Sequence, residues 1–312
     1  MKSSCIRLFV LLGLCALLAG RAAWPQTRSG DWTMTPSEVA GQVHFSLIEF
    51  RHDGHSEFGS DWPLSAFQGL DASKSGRHEV HFTVPRDAGK FDCEGFLDRG
   101  QGTGLFHFFP NPQYAQEMKA LGFDVEKDQL ALAAHDVSLD FARAMRGEHL
   151  QGLDADKLMA FRIFGVTTDF IHQVRAAGLD ISASDKLVAF RIHGVTPEMI
   201  RTLRQEGYNP DEDKLIALRI HGVTPEWTEQ MSKLGYNHID LDKLVAFRIH
   251  GVTPEFIEQL KRLGYPHPEP DQLISMRIHG VTPEYITTMR SQHGMENLTI
   301  EQLVSLRIHG ID

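Results

Sequence analysis

A short string recurs through the C-terminal two-thirds of the chain, and its spacing constrains the fold more than any other feature. Arg-Ile-His-Gly occurs at residues 191–194, 219–222, 248–251, 277–280 and 307–310, with Arg-Ile-Phe-Gly at 162–165. The arginines stand 29, 28, 29, 29 and 30 residues apart. The longer string His-Gly-Val-Thr-Pro-Glu begins at His193, His221, His250 and His279. A degraded copy, Ala133 to Ser138, lies one period before Arg162. Pro112 to Tyr114, leading into Leu121-Gly122-Phe123, is a half-match. A fixed period of this length marks a stack of small units, each unable to bury its apolar face alone. We count seven units of 28–30 residues, from about Pro110 to Gly310.

Each unit reads as two short helices with legible ends. In Val252-Thr253-Pro254-Glu255, Thr253 suits the N-cap and Pro254 the first helical position, where its missing N–H costs nothing. Glu255 places negative charge at the positive end of the helix dipole. Val252 can staple onto Ile257, as Val195 can onto Ile200 and Val281 onto Ile286, with Val223/Thr228 the exception. Gly264-Tyr265 over Leu260 reads as a Schellman end, repeated at Gly207-Tyr208 and Gly235-Tyr236. The second helix is exemplified by Asp242 to His250, with Leu244, Val245, Phe247 and Ile249 as its apolar residues and Gly251 as its stop. Helices of this length do not persist alone in water, so stacking must supply their stability. The repeats predict an α-helical solenoid over residues 111–312.

Residues 30–110 carry a different period. Gln42–Leu47 and His78–Val84 alternate polar and apolar, and Phe91–Leu97 and Leu105–Phe109 are aromatic-rich runs on either side of a glycine cluster at Asp98–Gly104. Alternation with glycine-rich turns predicts a small antiparallel β-domain packed on the first, eroded repeat. Residues 51–76 read as a polar loop anchored by Trp62, Leu64, Phe67 and Leu70. The expected class is therefore α+β.

Ahead of this domain, Lys2 and Arg7 precede the apolar run Leu8–Ala19, and Gly20 and Ala22 fit a signal-peptidase site. The run is too short for a stable membrane span. Residues 1–22 are expected to be a signal peptide cut after Ala22, with Ala23 as the fallback. A retained anchor or lipidation at Cys15 is the alternative. Removal of Lys2, Arg7 and Arg21 takes the net charge from −10 to −13. Such a balance argues against nonspecific binding to nucleic acid or anionic lipid. It also leaves Cys93 as the one cysteine, so no intrachain disulfide can form. No integral membrane segment is expected after cleavage, and the product should be periplasmic or extracellular.

Several motifs invite a chemical reading. His78-Glu79-Val80-His81 is one residue short of a zinc-protease signature, and in a strand its two histidines point to opposite faces. His44, His52, His55, His78 and His81, with Asp53, make the β-domain histidine-dense without defining a ligand pattern; a metal-dependent hydrolase built on them is one alternative. The repeat histidines His193, His221, His250, His279 and His309 are expected to cap their own helix ends. The repeat arginines recur with Asp156, Asp185, Asp213, Asp242, Asp271 and Glu301 six residues earlier, which suggests an ion-pair ladder. Alternatively Arg191, Arg219, Arg248, Arg277 and Arg307 form a row that grips an anionic partner. Gly100–Gly104 lacks the lysine and helix of a phosphate loop, and Cys93 has no base beside it. We identify no catalytic, cofactor or metal residue, and expect a non-enzymatic protein.

The unit Leu244–Tyr265, with its Arg-Ile-His-Gly-Val-Thr-Pro-Glu string, resembles the C-terminal repeat region of BlaR1-type sensor proteins of the M56 peptidase family. The segment with Arg86–Phe91 and Phe109–Pro112 is similar to the region that often precedes such repeats. The family's membrane-embedded peptidase is missing from this sequence, so its protease activity does not carry over. The resemblance implies an envelope setting and a sensing or regulatory role. The expected task is binding a protein or peptide partner, with a sensory module acting on a membrane peptidase as the alternative.

Overall fold

The computed structural model describes residues 28–51 and 54–311; the expected signal peptide lies outside them. The described residues form six strands followed by fourteen α-helices. The strands are β1 (Arg28–Pro36), β2 (Gln42–Arg51), β3 (Gly54–Pro63), β4 (His78–Arg86), β5 (Gly89–Asp98) and β6 (Gln101–Pro110). They make one antiparallel sheet in the order β3-β2-β1-β6-β5-β4: two three-stranded meanders joined through β1 and β6.

The sheet is rolled. Phe45 on β2 and Phe82 on β4 are four strands apart in hydrogen-bonding order, a distance of roughly 19 Å in a flat sheet. Their ring centroids are 6.1 Å apart. Glycines permit the curl: a β-carbon on Gly104 would lie 1.9 Å from the Glu94 carbonyl oxygen, and one on Gly95 2.3 Å from that of Thr103. The indole of Trp32 lies against Gly95 and Gly102, where a β-carbon would come within 2.9 and 3.0 Å of it, and its Nε1 donates to Glu94 O at 3.1 Å. The crossing from β3 to β4 pairs Gln68 with Thr83, covering a stretch of the β4 edge.

Two sequence expectations need correction here. Gly54–Pro63 is a strand rather than loop; its polar, glycine-rich composition hides an edge strand that buries only Trp62 fully. The glycine cluster at 98–104 is mostly strand as well. Only Arg99 and Gly100 turn, both at positive φ, while Gly102 and Gly104 lie inside β6 for the close approach just described. Of the expected anchors, Trp62 and Phe67 are buried, Leu70 is half-buried and Leu64 is exposed.

The helices alternate between two layers. The first layer holds α1 (Pro112–Ala120), α3 (Leu139–Gly147), α5 (Thr168–Ala176), α7 (Pro197–Gln205), α9 (Pro225–Lys233), α11 (Pro254–Arg262) and α13 (Pro283–His293). The second holds α2 (Gln129–Ala134), α4 (Ala155–Phe164), α6 (Ser184–His193), α8 (Glu212–Ile220), α10 (Leu241–His250), α12 (Pro270–Ile278) and α14 (Ile300–Ile308). Within each layer, successive helices pack on one another: α5 on α7 on α9, and α4 on α6 through α14. The apolar residues facing between layers are buried, for example Leu244, Phe247, Phe256, Ile257 and Leu260.

The caps follow the sequence closely. Thr167, Thr196, Thr224, Thr253 and Thr282 each accept from the backbone N–H three residues on. Tyr208, Tyr236 and Tyr265 donate their N–H to the carbonyls of Leu203, Met231 and Leu260, the expected Schellman bond. At position 228, where the staple fails, the Thr228 hydroxyl instead donates to Pro225 O at 2.8 Å.

Sheet and helices share one continuous core. Gln129 Nε2 donates to the carbonyls of Asn111 and Ala88 at 2.8 and 3.2 Å, and the Leu139 N–H donates to Asp87 Oδ2 at 2.9 Å. These bonds seat the rolled sheet on the first helices. No helix among the described residues is long and apolar enough to cross a membrane.

Candidate functional site

The two layers differ on their outer faces. The outer side of α11 is polar, with Glu255, Glu258, Lys261 and Arg262 exposed. The outer side of α10 runs Asp242, then half-buried Val245 and Ala246, then exposed Ile249. The same order recurs on every second-layer helix from α4 to α12, and on α14 with Glu301 first and Ser305 exposed. The terminal isoleucines Ile163, Ile192, Ile220, Ile249, Ile278 and Ile308 are each 52–56% exposed. An isolated exposed isoleucine needs no explanation. Six at equivalent positions on stacked helices make a row, with half-buried Met159, Val188, Ile216, Val245, Ile274 and Val304 on the same helices. Soluble chains rarely leave such strips uncovered.

The arginine beside each of these isoleucines is committed to the neighbouring unit. Arg191, Arg219, Arg248 and Arg277 donate Nε to the carbonyls of Phe164, His193, His221 and His250, at 3.0–3.3 Å. Each guanidinium crosses the glycine that ends the preceding second-layer helix. Arg191, Arg248, Arg277 and Arg307 also lie 4.8–5.4 Å from the ring centroids of Phe170, Trp227, Phe256 and Tyr285. Arg191 and Arg248 keep an exposed side, while Arg219, Arg277 and Arg307 are half-buried.

The acids six residues earlier do not face these arginines, because six residues is about 240° around a helix. Asp185, Asp213, Asp242 and Asp271 pair instead with Lys157, Lys186, Lys214 and Lys243 of the preceding unit. Glu301 accepts from Gln272. The last helical carbonyls likewise meet the next unit's arginine, the role expected of the imidazoles.

A cleft of about 360 Å³ lies where the sheet meets the solenoid, and Trp62, Arg86, His135, Asp136, Arg162 and Ile163 line it. Asp136 occupies the corner where later units carry glycine, and holds φ 53° there. Its carboxylate accepts from Arg162 Nη2 at 2.9 Å and stands 3.5 Å from Arg86 Nε. Burial and the Arg162 charge hold His135 below the usual imidazole range. The sequence names Trp62 as an anchor and Arg162 as a repeat arginine, but nothing in their spacing brings them together in this cleft. The one available signal was Asp136, an acid standing in a glycine position.

The β-domain histidines are not gathered together. His44 meets Asp61 at 3.0 Å, His81 meets Asp92 at 2.9 Å, and His78 Nδ1 meets Gly76 O at 2.9 Å. His55 is exposed, and His52 and Asp53 lie outside the described residues. Among the described residues no group of three or more His, Cys, Asp or Glu could hold a metal ion. Cys93 is buried, and burial with the neighbouring Asp92 charge pushes its thiol far above the ordinary range.

No protein-family model matches the chain, and comparison with curated proteins finds no significant match.

Proposed function

We propose that this is an exported, non-enzymatic repeat protein that binds a protein or peptide partner along its second helix layer. The observation that carries the reading is the row of six isoleucines, each more than half exposed at the same position of its unit. Fully burying an isoleucine is worth about 1.5–3 kcal/mol, so each half-covered rung retains on the order of 1 kcal/mol for a partner to gain. The exported address rests on residues 1–22, and the envelope setting on the similarity to BlaR1-type repeat regions; a sensory module acting on a membrane peptidase is the alternative in that setting.

The test is a triple variant, Ile220→Ser, Ile249→Ser and Ile278→Ser, compared with the unaltered protein in quantitative pulldown from envelope extract. A defined partner should be recovered by the unaltered protein and lost with the variant, at unchanged helix content and unfolding midpoint. A partner retained by the variant removes the strip as the binding surface.

A further inference from the structure

One joint of the first layer holds half of a pair that another joint holds whole. Eight residues past the N-caps of α3, α5, α7 and α13 stand Arg146, Arg175, Arg204 and Arg290. Each guanidinium reaches back to the end of the preceding first-layer helix. Arg146 crosses Gly122, with its guanidinium carbon 5.3 Å from the Phe123 ring centroid. Arg204 crosses Gly178. Arg290 donates Nη2 to Leu263 O at 2.7 Å and lies 5.6 Å from the Tyr265 ring centroid. Arg175 meets an acid: Nη1 donates to Glu148 Oε2 at 2.5 Å and Nη2 to Glu148 O at 3.0 Å, while His172 Nε2 stands 2.8 Å from Glu148 Oε1.

Between α7 and α9 the acid is present and the arginine is not. Glu206 closes α7 as Glu148 closes α3, each just ahead of a left-handed residue, Gly207 at φ 89° and His149 at φ 55°. The position of Arg175 is taken by Ser232, whose hydroxyl donates to Asn237, and that of His172 by Glu229. Lys233 answers Glu229 at 2.8 Å. Glu206 is half-buried, with no hydrogen bond or ion pair among the described residues. Burial and the Glu229 charge push its carboxyl above the ordinary 4.5, with His238 opposing. The next joint, between α9 and α11, has Lys261 in place of arginine, but there the closing residue is Leu234 and His267 covers Gly235, so no acid is left over.

A cavity of about 160 Å³ opens at this joint, lined by Glu206, Tyr208, Thr228, Glu229, Ser232 and His238 among others. A void of about 150 Å³ admits a benzene-sized molecule. Thr228 adds room, standing where the flanking units carry Ile200 and Ile257. Tyr208 follows Gly207 as Phe123 follows Gly122 and Tyr265 follows Gly264, so the ring on which an arginine packs is also in place. We infer that this cavity binds the guanidinium of an arginine supplied from outside the chain, held by Glu206 as Glu148 holds Arg175. A guanidinium fits better than an ammonium, because its planar fork meets a carboxylate with two N–H groups while its face lies on a ring. The arginine is a free amino acid or a side chain of a polypeptide. The site stands apart from the isoleucine row, none of whose six residues lines it.

Titration of N-acetyl-arginine N-methylamide into the full chain should shift the Gly207 and Ser232 amide resonances saturably. The citrulline analogue, neutral and of the same shape, should bind about tenfold more weakly, and the lysine analogue more weakly than the arginine. Glu206→Gln should bring arginine binding down to the citrulline level. Ser232→Arg should supply the guanidinium from within, raising the unfolding midpoint and abolishing binding of the arginine probe. Tighter binding of L-arginine than of the blocked probe would assign the site to the free amino acid, and the reverse order to a polypeptide; both support the site. Equal binding of arginine and citrulline overturns it, as does arginine binding unchanged in Glu206→Gln, or no saturable shift with any probe. Because the citrulline comparison uses the unaltered protein, it decides the matter however either variant folds.

Discussion

The guanidinium of Arg277 lies across the backbone of Gly251. A β-carbon at residue 251 would sit 3.0 Å from Arg277 Nη2, while Arg277 Nε donates to the adjacent His250 carbonyl at 3.3 Å. Gly251 itself is left-handed, at φ 70°. Gly251→Ala therefore meets two obstacles. Left-handed backbone costs an L-residue about 1–2 kcal/mol, and the added methyl displaces the arginine. Gly264 is left-handed too, at φ 90°, but faces open space. Urea unfolding should show Gly251→Ala as the more destabilising of the two, by about 1 kcal/mol. Equal losses would mean that the arginine contact contributes nothing.

Arg248 should not be replaceable by lysine. Its guanidinium carbon lies 5.4 Å from the Trp227 ring centroid while Nε donates to His221 O. Stacking and directed donation together suit a planar fork and not a point charge. Arg248→Ala and Arg248→Lys should each lower stability by about 1–2 kcal/mol, read from the unfolding midpoint, with a change in tryptophan emission. Restoration of stability by lysine would reduce the contact to simple charge.

Acid should weaken the solenoid through its helix starts. Glu226, Glu255 and Glu284 are held below the ordinary 4.5 by their own backbone N–H and by the hydroxyls of Thr224, Thr253 and Thr282. A carboxylate with a depressed folded pKa contributes stability above its unfolded value and loses it as pH falls through the folded one. The loss should begin below about pH 4.5 and shrink in a triple glutamate-to-glutamine variant. His135 is lowered from 6.5 by burial and by Arg162, so its contribution fades earlier, as pH drops below 6.5. A flat stability profile from pH 7 to 3.5 would contradict both.

Cys93 should be silent. Its thiol is buried in the rolled sheet and its ionisation is pushed strongly upward, first by burial and then by Asp92. Iodoacetamide at pH 8 should leave the Cys93 peptide unlabelled in native protein and label it in urea, as followed by mass spectrometry. Native labelling would mean that the sheet opens.

The repeats and their caps were legible because capping is local: Thr253, Pro254 and Gly264 act on backbone within a few residues of themselves. What crosses between units was less so. Arg277 touches a carbonyl 27 residues away, and Asp242 pairs with Lys214, 28 residues away; neither separation follows from single-unit spacing. The isoleucine row was visible in principle. Ile249 lies five residues past Leu244 and two past Phe247, about 140° and 200° around the helix, so it cannot share their buried face. In the sheet, Gly102 and Gly104 imitate a turn in composition, and only the proximity of Glu94 and Trp32 reveals why a strand needs them.

Because Arg191, Arg219, Arg248, Arg277 and Arg307 each reach back to the glycine one copy earlier, the joints from α4 onward share the same two parts. Duplicating or deleting one 29-residue block creates no junction that does not already exist. Gene-level expansion or contraction can therefore change the length of the exposed isoleucine row in whole rungs, without any new contact having to evolve.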